Sequence, residues 1–346
     1  AVKNFVTYNR DTAVKRIFTW VFFTVQVFFS LLRERKDSEL FIVTNPPFTP
    51  YLGYVLKKWR KTKYHLLIYD VYPDALTQLG MVKQGGWLHR LWSRWNRKLF
   101  AAADTTFTLS QGMEKLVKQY FSGPVHIISN WTDAAYIKPV PKTENPFAQQ
   151  HGQVEKITVM YSGNMGATHA VEKIGELAEA FKGDDRFRFL GIGEGAKKPV
   201  LQGMKEAKKL DNLTLLPYQP IDILPYSLAT ADLGVVTLSA GAEDLSVPCK
   251  TYNLLAAGAA LFVIASKHSE LAHLVRTHQC GVQFEEHELP QMKQWLQNIA
   301  QNPQELARLK EAARKASFHF TATNAYQYKE PLKKESRVPQ VVEAVV

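Results

Sequence analysis

A carboxylate and a lysine in one polar loop are the side chains of this chain that most clearly suggest chemistry. Glu243 and Lys250 belong to the stretch Glu-Asp-Leu-Ser-Val-Pro-Cys-Lys, which leads into a predicted helix of small residues ending at Gly258. A lysine ammonium and the unpaired N–H groups of a helix start both favour a bound anion. The loop therefore predicts an anion site at Lys250, and a solvated helix-start lysine is the alternative.

A second turn of the same kind lies upstream. The stretch Met-Tyr-Ser-Gly-Asn-Met-Gly runs from Met160 to Gly166 and joins a predicted strand to a predicted helix. Gly163 and Gly166 lack side chains, so backbone N–H groups could approach a phosphate there. A plain tight turn is the alternative interpretation.

The first part of the chain offers a carboxylate at a strand end. Asp70 directly follows a predicted strand, a position where a general base or a group that orients an acceptor is needed. Asp74 follows Pro73 and is predicted to cap a helix. The ten histidines show no nucleophile–base arrangement, no Cys/His spacing is typical of zinc, and no Asp-x-Asp element is present.

Strands and helices alternate along the chain, which predicts α/β domains with parallel sheets and right-handed crossovers. Predicted helices lie at about 50–60, 87–103, 170–181, 198–209, 223–229 and 250–257, with another that begins at Ser110. The predicted strands are 40–44, 64–69, 105–109, 125–128, 156–161, 187–190, 213–216, 233–238 and 261–265.

The segment 139–153 is rich in Pro, Asn, Gln and Lys and lacks apolar periodicity, so it is the predicted linker between domains 1–138 and 154–317. A C-terminal helix over 318–335 is expected to pack back on the first domain. Open parallel sheets bind ligands at the carboxyl ends of their strands. Two such domains predict a shared cleft and a two-part substrate.

The excess of basic over acidic residues lies entirely in the first part of the protein. Residues 1–138 contain 20 Lys and Arg against 9 Asp and Glu, whereas residues 139–346 contain 23 of each. This asymmetry suggests an anionic partner, either nucleic acid or an acidic membrane surface, and a merely solvated basic face is the alternative. The aromatic residues near the basic cluster fit core helices better than base-stacking platforms, which disfavours nucleic acid. The cluster itself consists of Lys57, Lys58, Arg60, Lys61 and Lys63.

An apolar run over residues 17–32 precedes the first predicted strand. Its sixteen residues fall short of the ~20 that span a bilayer. A buried core helix, a helix in the membrane interface anchored by aromatic residues such as Trp20, and a membrane span all remain open. Two cysteines and the lack of a signal-peptide pattern favour a cytosolic location.

Taken together, the motifs resemble those of group 1 glycosyltransferases (family 4), which have the GT-B fold of two facing Rossmann-like domains. The likeness is closest to bacterial members that build surface polysaccharides or O-antigens. It extends from about residue 14 to residue 330, and the order and spacing of the motifs carry it. The matching segments are 70–74, 103–104, 109–112, 130–133, 161–166, 191–195, 231–232 and, most clearly, 246–258.

The resemblance implies transfer of a sugar from a nucleotide-diphosphate sugar, with UDP favoured, to a membrane-associated acceptor linked to polyprenyl diphosphate. It also implies retention of configuration, independence of metals and cofactors, and a peripheral location on the inner face of the cytoplasmic membrane. Asp70 and Glu243 are then the catalytic candidates, Glu243 through hydroxyls of the transferred sugar. The implied donor-binding residues are Gly163, Asn164, Gly166, His169, Gly191, Gly193, Tyr218, Lys250, Thr251 and Asn253.

Two departures from the family pattern accompany the resemblance. The first βα unit of the family is expected to be absent, and the second glutamate of the family's pair is Asn253 here. These departures leave a non-catalytic nucleotide-sugar-binding subunit open. A nucleotide-sugar epimerase, which needs no acceptor, is a separate alternative.

Overall fold

The computed structural model describes residues 13–78, 80–166, 169–239 and 247–335. The chain divides into two compact units, and each contains one parallel sheet. The first unit combines Ala1–Ser129 with Ala325–Val346, and the second is Asn130–Asn324.

The first unit contains a four-stranded parallel sheet in the order β1-β2-β3-β4. Strand β2, one of the two inner strands, is buried along its whole length, as expected for a strand covered on both faces. The elements are α1 (Ala13–Leu32), β1 (Leu40–Val43), α2 (Thr49–Arg60), β2 (Tyr64–Ile68), α3 (Asp74–Gln78), α4 (Trp87–Ala102), β3 (Thr105–Thr108), α5 (Gln111–Lys118) and β4 (His126–Ile127).

Helices α1, α2 and α4 form a layer on one face of this sheet. Right-handed crossovers between strands added in one direction place α2 and α4 on the same face, and both α1 and α4 contact α2. One side of α1 packs on the core through Phe28 and Leu31. On its other side Phe18 is 64% and Phe29 58% exposed. Within the described residues, every helix is too short or too polar to cross a membrane.

The second unit contains a six-stranded parallel sheet in the order β10-β9-β8-β5-β6-β7, with a hydrophobic cluster on each side. This strand order is that of a doubly wound dinucleotide-binding fold, and it reverses direction between β5 and β8. The elements are α6 (Pro146–Gln150), β5 (Ile157–Ser162), α7 (Glu172–Ala180), β6 (Phe187–Ile192), α8 (Lys198–Lys208), β7 (Leu213–Leu216), α9 (Leu224–Ala229), β8 (Leu233–Thr237), α10 (Lys250–Ala256), β9 (Ala260–Ile264), α11 (Glu270–His278), β10 (Gly281–Phe284), α12 (Leu289–Ala300) and α13 (Pro303–Ser317).

The segment 139–153, expected to link the domains, is instead part of the second unit. Asn145 caps α6, and Phe147 is buried in the core. Lys142 and Lys310 both form ion pairs with the buried carboxylate of Asp232. Burial alone would raise the pKa of Asp232, but the two ammonium groups outweigh it and lower that pKa. A polar composition therefore concealed a segment that is fixed by one phenylalanine and one lysine.

The C-terminal segment returns to the first unit. Helix α14 (Lys329–Glu335) follows a 3₁₀ helix over Ala322–Tyr328. The ring of Tyr328 lies 4.9 Å from that of Phe107 in β3 and 5.6 Å from that of Phe41 in β1. This contact packs the 3₁₀ helix on the first sheet.

Candidate functional site

Several predicted site residues lie close together where the strand order of the second sheet reverses, between β5 and β8. Gly163 follows β5, and Thr237 ends β8, so both lie at the carboxyl edge where the strand order reverses. The Nδ1 atom of His169 lies 3.0 Å from the carbonyl oxygen of Thr237 and joins the two loops. In doubly wound sheets, ligands bind at this point.

The glycine turn after β5 is held by the loop after β6. The N–H of Gly163 donates to the Ile192 carbonyl at 2.9 Å, and that of Met165 donates to the Glu194 carbonyl at 2.8 Å. At Gly193, φ is +135°, and a Cβ there would lie 2.0 Å from the Gly163 carbonyl oxygen. Only glycine fits this position, so Gly193 permits the close approach of the two loops.

Lys250 is the first residue of α10, and its ammonium points back to the glycine turn. A Cβ at Gly163 would lie 3.4 Å from the Lys250 Nζ atom. That Nζ is buried and has no hydrogen-bond partner among the described residues. Burial lowers the pKa of Lys250 to about 7. Because α10 has only seven residues, the lysine, rather than the dipole of a long helix, would be the group that attracts an anion here.

Tyr161, which the sequence did not indicate as a site residue, supports this lysine. The Lys250 Nζ lies 3.7 Å from the centroid of the Tyr161 ring, a cation–π contact. The Tyr161 side chain is fully buried, and its hydroxyl donates to the Asn164 carbonyl at 2.6 Å. One ring therefore fixes both the lysine and the glycine turn. In the sequence, an aromatic residue two positions before the first glycine of the turn is the feature that would have indicated Tyr161.

His169 and two threonines add polar atoms to the same edge. Burial, and then the charges of Lys250 and Lys197, lower the pKa of His169 to about 4, although its hydrogen bond to Thr237 acts in the opposite direction. His169 is therefore neutral at pH 7 and supplies no positive charge. The hydroxyls of Thr237 and Thr251 are buried without a hydrogen-bond partner among the described residues.

The other predicted donor residues lie in varied surroundings. Tyr218 is 49% exposed, and its ring is 3.3 Å from a Cβ placed at Gly193. Gly191 lies inside β6, where a Cβ would meet Leu215 at 2.7 Å, so packing accounts for this glycine.

Residues of the glycine turn and of α10 complete the predicted set. Asn164 is exposed, and a Cβ at Gly166 would lie 2.9 Å from its side-chain nitrogen. The side-chain oxygen of Asn253 accepts a hydrogen bond from the Thr132 hydroxyl at 2.6 Å. Asn253 therefore ties α10 to the segment that opens the second unit.

Of the two predicted catalytic residues, the structure describes only Asp70. Glu243 lies outside the described residues, so its role stays a prediction. Asp70 is partly buried just beyond the end of β2 in the first unit, and burial raises the pKa of its carboxyl group. The Asp70 N–H donates to the Thr44 hydroxyl, which in turn donates to the Asp70 carbonyl. Asp74 accepts a hydrogen bond from Tyr120 at 2.6 Å, which is a structural role.

The predicted basic cluster does not form one free surface. Lys57 is paired with Asp104 at 2.7 Å, and Lys63 is paired with Glu39 at 3.4 Å. Arg60 lies over the Trp59 ring and donates to the Leu32 carbonyl. Lys58 and Lys61 remain exposed.

Trp20, predicted as a membrane anchor, is only partly exposed. Its ring packs edge-on against Phe48 at 6.5 Å and Tyr72 at 6.3 Å. These contacts account for Trp20 as a packing residue of α1.

Over the described ranges, no three His, Cys, Asp or Glu side chains converge as a metal site would require, and independence of metals stays a prediction. Of the two thiols, Cys249 is exposed next to Lys250, with the Asn130 side-chain nitrogen 3.2 Å from its sulfur, whereas Cys280 is buried.

Two curated bacterial proteins are similar to the chain in sequence. WbjE of Pseudomonas aeruginosa, assigned as a glycosyltransferase, is 28% identical over 252 residues, or 70% of this chain and 61% of WbjE. WcaI of Escherichia coli (strain K12), assigned as a glycosyl transferase of colanic acid biosynthesis, is 27% identical over 279 residues, or 78% of this chain and 68% of WcaI. Both names give these assignments as provisional. The aligned part of the chain thus spans between 61% and 68% of the length of these relatives.

Solved structures agree on the fold. HepE from Anabaena, crystallised with UDP and glucose, has a TM-score of 0.72 at 16% identity, covering 95% of this chain and 85% of HepE. No family model matches the chain. The chain is a GT-B-fold protein related to bacterial glycosyltransferases, as the resemblance of its motifs predicted.

Proposed function

We propose that this protein transfers a sugar from a nucleotide-diphosphate sugar to a lipid-linked acceptor in the synthesis of a cell-surface polysaccharide. The donor is a UDP-sugar, and the reaction retains configuration and needs no metal. The observation that carries the proposal is the buried Nζ of Lys250 beside Gly163, which has no hydrogen-bond partner within the part of the chain that the structure describes. A buried ammonium without a hydrogen bond destabilises a protein. A donor diphosphate would supply the missing partner.

The surroundings of Lys250 support the same ligand. Gly166 has no side chain, so a phosphate would be able to approach the backbone of the turn there. Tyr218 is exposed beside Gly193, where its ring would border a nucleobase. The named ligand of HepE, UDP, belongs to this chemical class. During transfer, Lys250 would stabilise the negative charge that develops on the departing diphosphate.

The acceptor half of the proposal rests on the first unit. Asp70, at the carboxyl end of β2, would orient or deprotonate the acceptor hydroxyl. The raised pKa of its carboxyl group suits a base that is poised closer to neutral pH than an exposed aspartate. The excess of basic residues before residue 139 suits a polyprenyl-diphosphate acceptor at the inner, anionic face of the cytoplasmic membrane.

Calorimetry with UDP tests the donor site. Lys250→Met keeps the length of the side chain and removes its charge, so the affinity for UDP should fall about 100-fold, as the loss of a charge-assisted hydrogen bond predicts. Lys293→Met, on the exposed side of α12, is the matched control and should bind UDP as the wild type does. Wild-type affinity in Lys250→Met would remove Lys250 from the site.

Product analysis tests the reaction. The protein is incubated with a radiolabelled UDP-sugar, first alone and then with membranes that contain polyprenyl-diphosphate saccharides. If the protein is a transferase, label will appear in the lipid fraction, and only when the acceptor is present. Conversion of the donor to an isomeric sugar without acceptor would establish an epimerase instead, and UDP binding without either product would establish a binding subunit.

A further inference from the structure

We propose that the outward side of α2 and α4 is a docking surface for an anionic phospholipid bilayer. This α2–α4 face consists of Tyr54, Lys58, Trp87, Leu91, Trp95 and Lys98. The inference deepens the proposed function, on which it rests for the lipid-linked acceptor. It differs from the sequence prediction, because Trp20, Lys57 and Lys63, which were expected to contact the membrane, are engaged within the protein.

The apolar part of the face is a stripe along α4. Trp87, Leu91 and Trp95 recur every four residues, so they lie on one side of the helix. They are exposed by 77%, 45% and 43%, respectively. The opposite side of α4 is buried through Ser93, Asn96 and Leu99. Two tryptophans on the solvent side of one helix are costly in water and typical of a membrane interface.

Basic side chains flank this stripe and continue onto α2. The Lys98 Nζ lies 5.1 Å from the centroid of the Trp95 ring, and the Lys58 Nζ lies 5.8 Å from that of Tyr54. The rings of Tyr54 and Trp95 meet edge-on at 6.5 Å. Two ammonium groups therefore border one continuous aromatic surface that joins the two helices. Long lysine side chains in this position can reach lipid phosphates while the rings enter the headgroup region.

The charge of the helices identifies the partner. Helices α2 and α4 contain seven Lys and Arg residues and no Asp or Glu. A second copy of the chain docked symmetrically on this face would place like charges together. Nucleic acid is bound in positively charged grooves with stacking platforms, whereas this face is the outer side of a helical layer. An anionic bilayer satisfies both the positive charge and the exposed tryptophans.

Vesicle binding by the full chain tests the proposal. At low salt, the protein should co-sediment with vesicles of phosphatidylcholine and phosphatidylglycerol at 3:1. A far smaller fraction of the protein should co-sediment with vesicles of pure phosphatidylcholine. Trp87→Ser/Trp95→Ser should lower partitioning at least about tenfold. Lys58→Gln/Lys98→Gln should lower it about fivefold for each charge, on the anionic vesicles only. Brominated lipids should quench the fluorescence of the wild type more strongly than that of the tryptophan variant.

Controls separate this surface from the rest of the molecule. Ile221→Ser/Tyr326→Ser removes two side chains that are each 70% exposed outside the face, and it should partition as the wild type does. Equal partitioning by all variants, absence of quenching by brominated lipids, or displacement of the wild type from vesicles by RNA would overturn the proposal. Transfer to a water-soluble acceptor analogue without vesicles reports the proposed function separately, because the face variants should retain it.

Discussion

Lys250 combines a charge, a buried position and no hydrogen-bond partner among the described residues. Burying this ammonium costs free energy, and the ring of Tyr161 offsets part of that cost through its cation–π contact. The lowered pKa records the remainder of that cost, because burial disfavours the charged form. A lysine in this situation raises the affinity for an anion and lowers the stability of the ligand-free protein.

Removing this charge should therefore stabilise the ligand-free protein. We expect Lys250→Met to raise the free energy of unfolding by about 1–3 kcal/mol at pH 7. A buried lysine with a lowered pKa binds fewer protons than the unfolded chain between about pH 7 and 10, so the wild type gains stability as the pH rises through that window. The difference in stability between Lys250→Met and the wild type should therefore decrease as the pH rises. Thermal melting at pH 7 and pH 9.5 measures both effects, and a variant that melts below the wild type at pH 7 would contradict the argument.

Binding of UDP should take up a proton above neutral pH. The pKa of Lys250 is about 7 in the empty protein, and a bound diphosphate would raise it. Between pH 7 and 9 the affinity should weaken by up to about tenfold per pH unit, because the fraction of charged lysine falls. Calorimetry in buffers of different ionisation enthalpy measures the uptake directly. A pH-independent affinity in the wild type would show that Lys250 stays charged or stays outside the site.

At the scale of elements, the proposed donor site is formed by two loops of the second sheet and by the first residue of α10. Backbone hydrogen bonds connect the turn after β5 to the loop after β6, and Gly193 permits their contact. The positions of Lys250 and Tyr161 both depend on this arrangement, because the ring and the glycine turn belong to the same strand end.

A methyl group at the contact should disrupt the site. We expect Gly193→Ala to destabilise the protein by more than about 2 kcal/mol and to abolish UDP binding, because φ is +135° and the new Cβ would meet a carbonyl oxygen. Gly203→Ala in α8 is the matched control, since no atom lies within 4 Å of its Cβ position. That control should stabilise the protein by about 0.5–1 kcal/mol. Thermal melting and calorimetry compare the two variants, and equal behaviour would contradict the role of Gly193.

Most elements could be predicted from the sequence because their apolar residues recur with the period of a strand or a helix. Helix α10 begins at Lys250 and α4 begins at Trp87, both as predicted. Segment 139–153 was predicted as a linker and instead belongs to the second unit, because a buried phenylalanine and the Lys142–Asp232 pair fix it and neither has a periodic signature. The partnership of Tyr161 with Lys250 was also beyond reach, since no local pattern connects residues so far apart in the chain.

At the scale of the molecule, charge and chemistry are divided between the two units. The first carries the basic excess and the exposed tryptophans, and the second carries the buried lysine and the glycine turn. This division matches the proposed roles, in which one unit meets the lipid-linked acceptor and the other holds the nucleotide sugar.

The whole reaction should be independent of divalent cations. In the proposal, the Lys250 ammonium takes the role that a divalent cation has in metal-dependent enzymes, which is to stabilise the negative charge of the departing diphosphate. Activity in excess EDTA should remain within about twofold of the untreated enzyme. Addition of Mg²⁺ or Mn²⁺ after EDTA tests the opposite case, because strong reactivation would assign the phosphate charge to a metal.

The two cysteines make this protein convenient for spectroscopy. Cys249 is exposed one position before Lys250, and Cys280 is buried, so a maleimide dye should react at a single place. Neighbouring groups still desolvate the Cys249 sulfur in part and raise the pKa of its thiol, so labelling will be slow near neutrality and faster in mild base. A fluorophore attached there would report nucleotide occupancy in real time, without any engineered handle.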